Sequence, residues 1–151
     1  MKRRCLLVSA CLLGVCCRYD GKQKGDPAVL ALRERNEWTL LPVCPEQLGG
    51  LPTPRPPAEC CGEHVRTADG ADVTEQYRRG AEQTLYLARC FGCDAALLKE
   101  RSPSCGAGTI YDGSFSDTLT AGNGVTASLL LRNGIPVFGE SELEQMEEEL
   151  R

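Results

Sequence analysis

Three short strings each place one cysteine behind an apolar, strand-like run: SACLLG (Ser9 to Gly14), PVCPE (Pro42 to Glu46) and SPSCG (Ser102 to Gly106). If the three runs lie side by side in one parallel sheet, Cys11, Cys44 and Cys105 meet at its carboxyl edge. Three soft thiolates converging on one crevice can hold a metal ion or an iron–sulfur cluster. Three protein ligands also leave one coordination position free, which suits chemistry rather than scaffolding.

The rest of the chain supplies the elements that must bring these residues together. Cys5 to Ala10 (CLLVSA) is a continuous apolar run, as a central parallel strand buried on both faces requires. Trp38 to Val43 (WTLLPV) is a second strand, with Pro42 kept near its end because proline cannot donate to a ladder. Asp94 to Lys99 is a third strand and Ile135 to Phe138 a short fourth. Asp26 followed by Pro27 opens a helix to about Asn36. Asp72 and Glu75 form a capping box for the longest helix, in which Val73, Tyr77, Ala81, Leu85 and Ala88 recur at helical spacing until about Phe91 and Gly92. Val125 to Arg132 is a helix closed by Asn133–Gly134, and Ser141 with Glu144 caps a last helix with Leu143, Met146 and Leu150 on one face. Gly49 to Pro57 is a proline-dense loop, and Gly106 to Gly124 is a polar, glycine-rich stretch with a tight turn at Asp112–Gly113.

That β-α-β-α-β-α-β-α order predicts one three-layer α/β domain over residues 1–151, Rossmann-like, with a mostly parallel sheet of about four strands. Open parallel sheets bind ligands outside the carboxyl ends of their strands, where the strand order reverses. Cys11 falls just past the first strand, Cys44 just past the second and Cys105 a few residues past the third. Buried cysteines scattered by chance would not all choose that edge.

Composition narrows the function classes. A chain of 151 residues, 42% hydrophobic and 25% charged, is globular in character. Its net charge of −4 argues against a nucleic-acid groove, which needs clustered Lys and Arg. No run approaches the ~20 apolar residues of a membrane span. The basic start, Met1 to Arg4, and the apolar Cys5 to Leu13 resemble an export signal only superficially, because Gly14 to Gly25 is polar and offers no small-residue cleavage site. The chain therefore reads as cytoplasmic, with neither nucleic acid nor membrane as partner; its oligomeric state is open. Its ten cysteines then read as reduced thiols, a subset serving as ligands and the others, Cys5 among them, packing as small hydrophobes.

Other motifs compete for attention. Cys90-Phe-Gly-Cys93 is the single CxxC; it closes a helix and has no second pair, which suits neither a zinc ribbon nor a thioredoxin-like site. Cys16–Cys17 and Cys60–Cys61 are adjacent pairs, of which at most one member each can serve a common centre. The loop Leu12 to Val15 is short enough to fold Cys17 back, however, and a fourth thiolate would close the site. The alternative function is therefore a non-catalytic metal-binding or redox-sensing module with a four-thiolate centre of zinc or iron–sulfur. Gly122-Asn123-Gly124 before a helix offers backbone N–H groups to an anion. His64, the only histidine, belongs to none of the three strings and reads as a bystander.

The strings SACLLG…CRYDG, PVCPEQLGGLPTPR, DVTEQYRRGA, LLKERSPSCGAGTIYDG and NGIPVF resemble, in that order, the hallmark segments of the DUF523 family, which includes 2-thiouracil desulfurases. The resemblance runs from Ser9 to about Phe138. It implies a non-redox desulfidase that converts the thiocarbonyl of a thiolated pyrimidine to a carbonyl and releases sulfide. It further implies a [4Fe–4S] cluster bound by only three cysteines, which carry over to Cys11, Cys44 and Cys105, and an acid/base at the CPE glutamate, Glu46.

Position supports that last role, because Glu46 follows Cys44 by two residues; the competing reading pairs its carboxylate with Arg55 or Arg101. Ser102, just before Pro103, is the second candidate, as a hydrogen-bonding or proton-relay group, and Ser104 is the weaker of the two serines. Arg18, Tyr19 and Asp20 of the RYDG string read either as pocket lining or as a turn held by Asp20 and Gly21. Arg55, presented by flanking prolines, reads either as a contact to an anionic or carbonyl group of the substrate or as an ion pair fastening its loop.

Overall fold

Residues 3–150 are described by a computed structural model; the basic start at Met1 and Lys2 lies outside them. The central sheet has four strands in the order β2-β1-β5-β8, all parallel: β1 (Arg4–Ser9), β2 (Trp38–Val43), β5 (Ala95–Leu98) and β8 (Val137–Gly139). Its middle strands are the most apolar. Leu6, Leu7 and Val8 of β1 and all four residues of β5 have no solvent exposure, each large side chain contributing about 1.5–3 kcal/mol on burial. β2 lies at the edge, which accommodates Pro42 opposite Val8 without a missing ladder bond in the sheet interior.

Helices cover both faces. On one, Leu6, Val8 and Leu97 pack with Val29 of α1 (Pro27–Ala31) and Met146 of α5 (Leu143–Glu149). On the other, Leu7, Ala96 and Leu98 pack with Leu85 and Ala88 of α3 (Thr74–Cys90) and Leu130 of α4 (Val125–Arg132). This is the expected three-layer α/β arrangement. β1 runs to β2 on one side and the chain later returns to β5 on the other, so the strand order reverses between β1 and β5. That reversal opens the crevice at their carboxyl ends.

Several local expectations hold. β2 and α4 begin and end at the expected residues, and Asp26 accepts from the N–H groups of Ala28 and Val29 at the start of α1, which tightens into a 3-10 turn over Leu32–Glu34. Others are corrected. Neither capping box forms: Asp72 accepts from the Thr74 N–H (2.9 Å) while Glu75 turns to Arg78, and the Ser141 hydroxyl turns to Glu100 while Glu142 accepts from the Gly139 N–H. Two antiparallel hairpins also form where no strand was expected: β3 (Ala58–Cys61) with β4 (His64–Thr67), past the proline-dense loop, and β6 (Thr109–Tyr111) with β7 (Leu119–Ala121), within the glycine-rich stretch.

Candidate active site

The three cysteine strings become three tight turns at the carboxyl edge. Past β1 the chain enters a 3-10 turn (Ala10–Leu13) that carries Cys11, closed by Gly14 in the left-handed conformation (φ 92°), where a side chain would be strained. Val15 N–H then bonds back to Ala10 O, and Cys17 N–H to Val15 O (2.8 Å), so Cys17 is folded inward and only 2% exposed. Past β2, Cys44 caps the single-turn helix α2 (Pro45–Leu48), which holds Glu46 in its first turn.

α2 leans on α3 backbone to backbone: a Cβ at Gly49 would lie 1.9 Å from the Gln76 carbonyl oxygen, and one at Gly80 would lie 1.9 Å from that of Pro45. Only glycine at both positions permits that approach.

Past β5, Ser102 organises the last turn. Its Oγ accepts from the N–H groups of Ser104 and Cys105, both at 3.1 Å, while Gly106 N–H donates to Ser102 O. The N-terminus of α4 fastens this turn from behind. Gly124 N–H donates to Gly106 O (2.7 Å), Val125 N–H to Pro103 O, and the Thr126 and Ala127 N–H groups to Ser104 O. Of the amides that sequence alone offered to an anion at Gly122–Gly124, that of Gly122 donates to Gly108 O (3.1 Å) and that of Gly124 to Gly106 O, so these two are already engaged within the protein.

These turns surround one cavity of about 440 Å³, lined among others by Cys11, Cys17, Cys44, Cys105, Glu46 and Ser102. Cys44 Sγ reaches the Cys17 carbonyl at 3.7 Å, and the Cys17 thiol contacts those of both Cys11 and Cys44. Cys105 is buried, 4% exposed, beside the hydroxyls of Ser9 and Ser104. The thiol–thiol contact with Cys17, with burial added, raises the pKa of Cys44; burial raises that of Cys105; contact with Cys11 pushes Cys17 up to about 11.

Among the described residues no three Cys, His, Asp or Glu side chains close on a point at single-ion distances. The candidate donors at the three turns are all sulfur, the donor set that iron–sulfur clusters take.

Residues 6–142 match the family model described as 2-thiouracil desulfurase. The chain belongs to this family. A solved structure of a [4Fe-4S]-dependent thiouracil desulfidase, TudS, is 50% identical, with a TM-score of 0.91 over 99% of this chain and 98% of that one. The uncharacterized protein YbbK of Bacillus subtilis strain 168 is 43% identical over 148 residues, 91% of this chain and 97% of its own.

In this member of the desulfurase family, the carboxylate near the thiols is held by an arginine. Arg55 is 7% exposed at its side chain and places Nη2 3.6 Å from Glu46 Oε2 and 3.0 Å from the Cys17 carbonyl, while Nη1 reaches Thr53 Oγ1 at 3.1 Å. Of the two sequence readings of Arg55, the ion pair is present, with Glu46 as its partner, and the residue also lines the cavity. Burial raises the Glu46 pKa, and the Arg55 charge pulls the other way.

Arg18 and Tyr19 also line the cavity, the guanidinium 5.9 Å from the ring centroid. Asp20 does not line it: its carboxylate accepts from Lys22 N–H (3.0 Å) and faces Arg18 at 3.7 Å, as a turn residue does. Ser104 is fully buried with its hydroxyl on Thr126 (2.7 Å), behind the lining rather than in it.

Cys93 meets Cys5 at the amino end of β1 (Sγ to Sγ 3.1 Å), away from the site, and His64 pairs with Asp72 on the surface. Sequence reasoning missed Ser9, whose Oγ accepts from Lys99 N–H where β1 and β5 end, and Tyr77, which reads as a helix-face apolar residue yet lines the cavity.

Proposed function

We propose that the protein is an iron–sulfur-dependent, non-redox desulfidase that replaces the thiocarbonyl sulfur of a 2-thiouracil-like pyrimidine with oxygen. One observation carries the reading: Cys11, Cys44 and Cys105 share a single cavity with Glu46 and Ser102. The 50% identity to a [4Fe-4S]-dependent thiouracil desulfidase supports it. Cys11, Cys44 and Cys105 would hold a [4Fe–4S] cluster, which supplies, when bound, an open iron soft enough to bind and polarise a thiocarbonyl sulfur. The net reaction needs no electrons: water enters, C=O replaces C=S, and hydrogen sulfide leaves.

Glu46 takes the protons of the attacking water in turn and passes them to the departing sulfur, so that hydrogen sulfide leaves and the ring N–H groups are unchanged. Burial raises its pKa from the ordinary carboxylate value, which favours holding a transferred proton, and Arg55 fixes the carboxylate in one orientation. Ser102 acts in one direction only. Both lone pairs of its Oγ accept backbone N–H groups, so the hydroxyl has a proton to donate but no room to accept one. It is therefore a hydrogen-bond donor to the substrate rather than a relay. Arg18 and Tyr19 wall the cavity around the base, whereas Asp20 and Ser104 brace the turns behind it. A one-domain cytoplasmic enzyme with a small-molecule substrate and no nucleic-acid partner accords with the net charge of −4.

A second reading rests on Cys17, which is buried against Cys11 and Cys44. Were it a fourth ligand, the centre would be closed and its role redox or sensing. Anaerobically purified protein incubated with 2-thiouracil and no reductant separates the two: sulfide release in stoichiometry with uracil is expected. Bound iron without any sulfide release would favour the closed centre.

A further inference from the structure

Tyr77 is 3% exposed and lines the cavity, yet its phenol has no hydrogen-bond partner among the described residues. Among the described residues the only fully buried side-chain nitrogen or oxygen lacking a partner is Trp38 Nε1, so the Tyr77 oxygen is reached from the cavity itself. The ring below it is immobilised in a small core with Val65 and Val73, flanked by Leu51, Ala58 and Cys60. Its relation to Glu46 is fixed as well. Tyr77 lies in the first turn of α3 between Gln76 and Gly80, whose backbones touch Gly49 and Pro45 at the two ends of the turn that carries Glu46.

We infer that Tyr77 is a specificity-determining residue whose hydroxyl donates to the exocyclic carbonyl oxygen of the pyrimidine, the oxygen adjacent to the ring N–H that faces Glu46. The inference rests on the proposed desulfidase reading and adds to it the edge by which the base is read. A 2-thiouracil ring presents N3–H beside C4=O, a donor next to an acceptor. A carboxylate next to a phenol O–H is the complementary pair, and a buried polar group left unpaired by the wrong base is a strong source of discrimination. Burial and the neighbouring Glu46 raise the phenol's pKa, which keeps it a donor at neutral pH. The phenyl ring needs no new contact to play this part; only its oxygen is uncommitted.

The test compares 2-thiouracil with 2-mercaptopyrimidine, which keeps the thiocarbonyl carbon but lacks the carbonyl oxygen. The anaerobic wild-type enzyme is expected to prefer 2-thiouracil in kcat/KM by about tenfold or more, and Tyr77→Phe to lower that preference about tenfold. Iron and sulfide content per chain should match the wild type. Inhibition by uracil, which reads the contact without turnover, should weaken about tenfold in Tyr77→Phe, while inhibition by pyrimidin-2-one holds. An active wild type with no preference between the two substrates, or a Tyr77→Phe enzyme with the preference intact, overturns this inference alone. A wild type that releases no sulfide from 2-thiouracil overturns it together with the proposed function.

Discussion

Gly80 in α3 touches Pro45 in α2 backbone to backbone, so closely that a methyl group on Gly80 would fall 1.9 Å from the Pro45 carbonyl oxygen. In an exposed helix interior, replacing glycine by alanine stabilises by about 1 kcal/mol. Here the sign reverses, because the added carbon must push away the turn that carries Cys44 and Glu46. Gly80→Ala is expected to destabilise by about 1–3 kcal/mol, as overpacking does, and to lower the iron retained per chain. Thermal denaturation and iron analysis check it; a raised melting temperature with full iron would refute the contact.

The cysteines divide by position. Cys11→Ser, Cys44→Ser and Cys105→Ser should each yield anaerobic protein without the broad visible absorption of an iron–sulfur cluster and without sulfide release. Cys17→Ser should keep both, because the proposed centre takes three thiolates and leaves one iron open. Loss of the visible absorption in Cys17→Ser would make Cys17 a ligand and the centre closed.

Glu46 and Arg55 should behave as one unit. Glu46→Gln is expected to keep the cluster absorption and lower kcat on the order of 10²–10⁴-fold, the range for removing a general acid–base. Arg55→Ala strips the buried carboxylate of its partner and should also lower kcat. In the Glu46→Gln background it should cost far less, since neighbours in one network are not additive. Additive losses in that double-mutant cycle would separate the two residues.

The frame of this site was legible because it depends on patterns that short windows contain. The apolar run of β1, the edge-compatible Pro42 in β2 and the Asn133–Gly134 stop after α4 each announce their element locally, and the strand order then carries Cys11, Cys44 and Cys105 to one edge. The hairpins were not legible. β3 and β4 have four residues each, β6 and β7 three, and β7 is exposed throughout, so each run is too short for a strand pattern to stand out. They are held by distant contacts instead, such as Glu59 accepting from the N–H groups of Gly113 and Phe115. Tyr77 was hidden for another reason: helical spacing makes it a core residue, which its ring is, and spacing says nothing of where a hydroxyl ends.

Ser102 permits a prediction in which structure and chemistry come apart. Its oxygen holds the amides of Ser104 and Cys105, and its proton is the part proposed to meet the substrate. Ser102→Ala removes both, freeing two N–H groups beside a proposed cluster ligand at a cost of about 1–3 kcal/mol for each that stays buried and unpaired. Lower stability, faster cluster loss in air and lower kcat should therefore appear together. Ser102→Thr keeps an oxygen able to accept both amides, and should restore stability and cluster retention while leaving the donor in place. If its kcat returns with them, the hydroxyl serves both tasks. A Ser102→Ala enzyme with wild-type turnover and a normal rate of cluster loss would remove Ser102 from the site altogether.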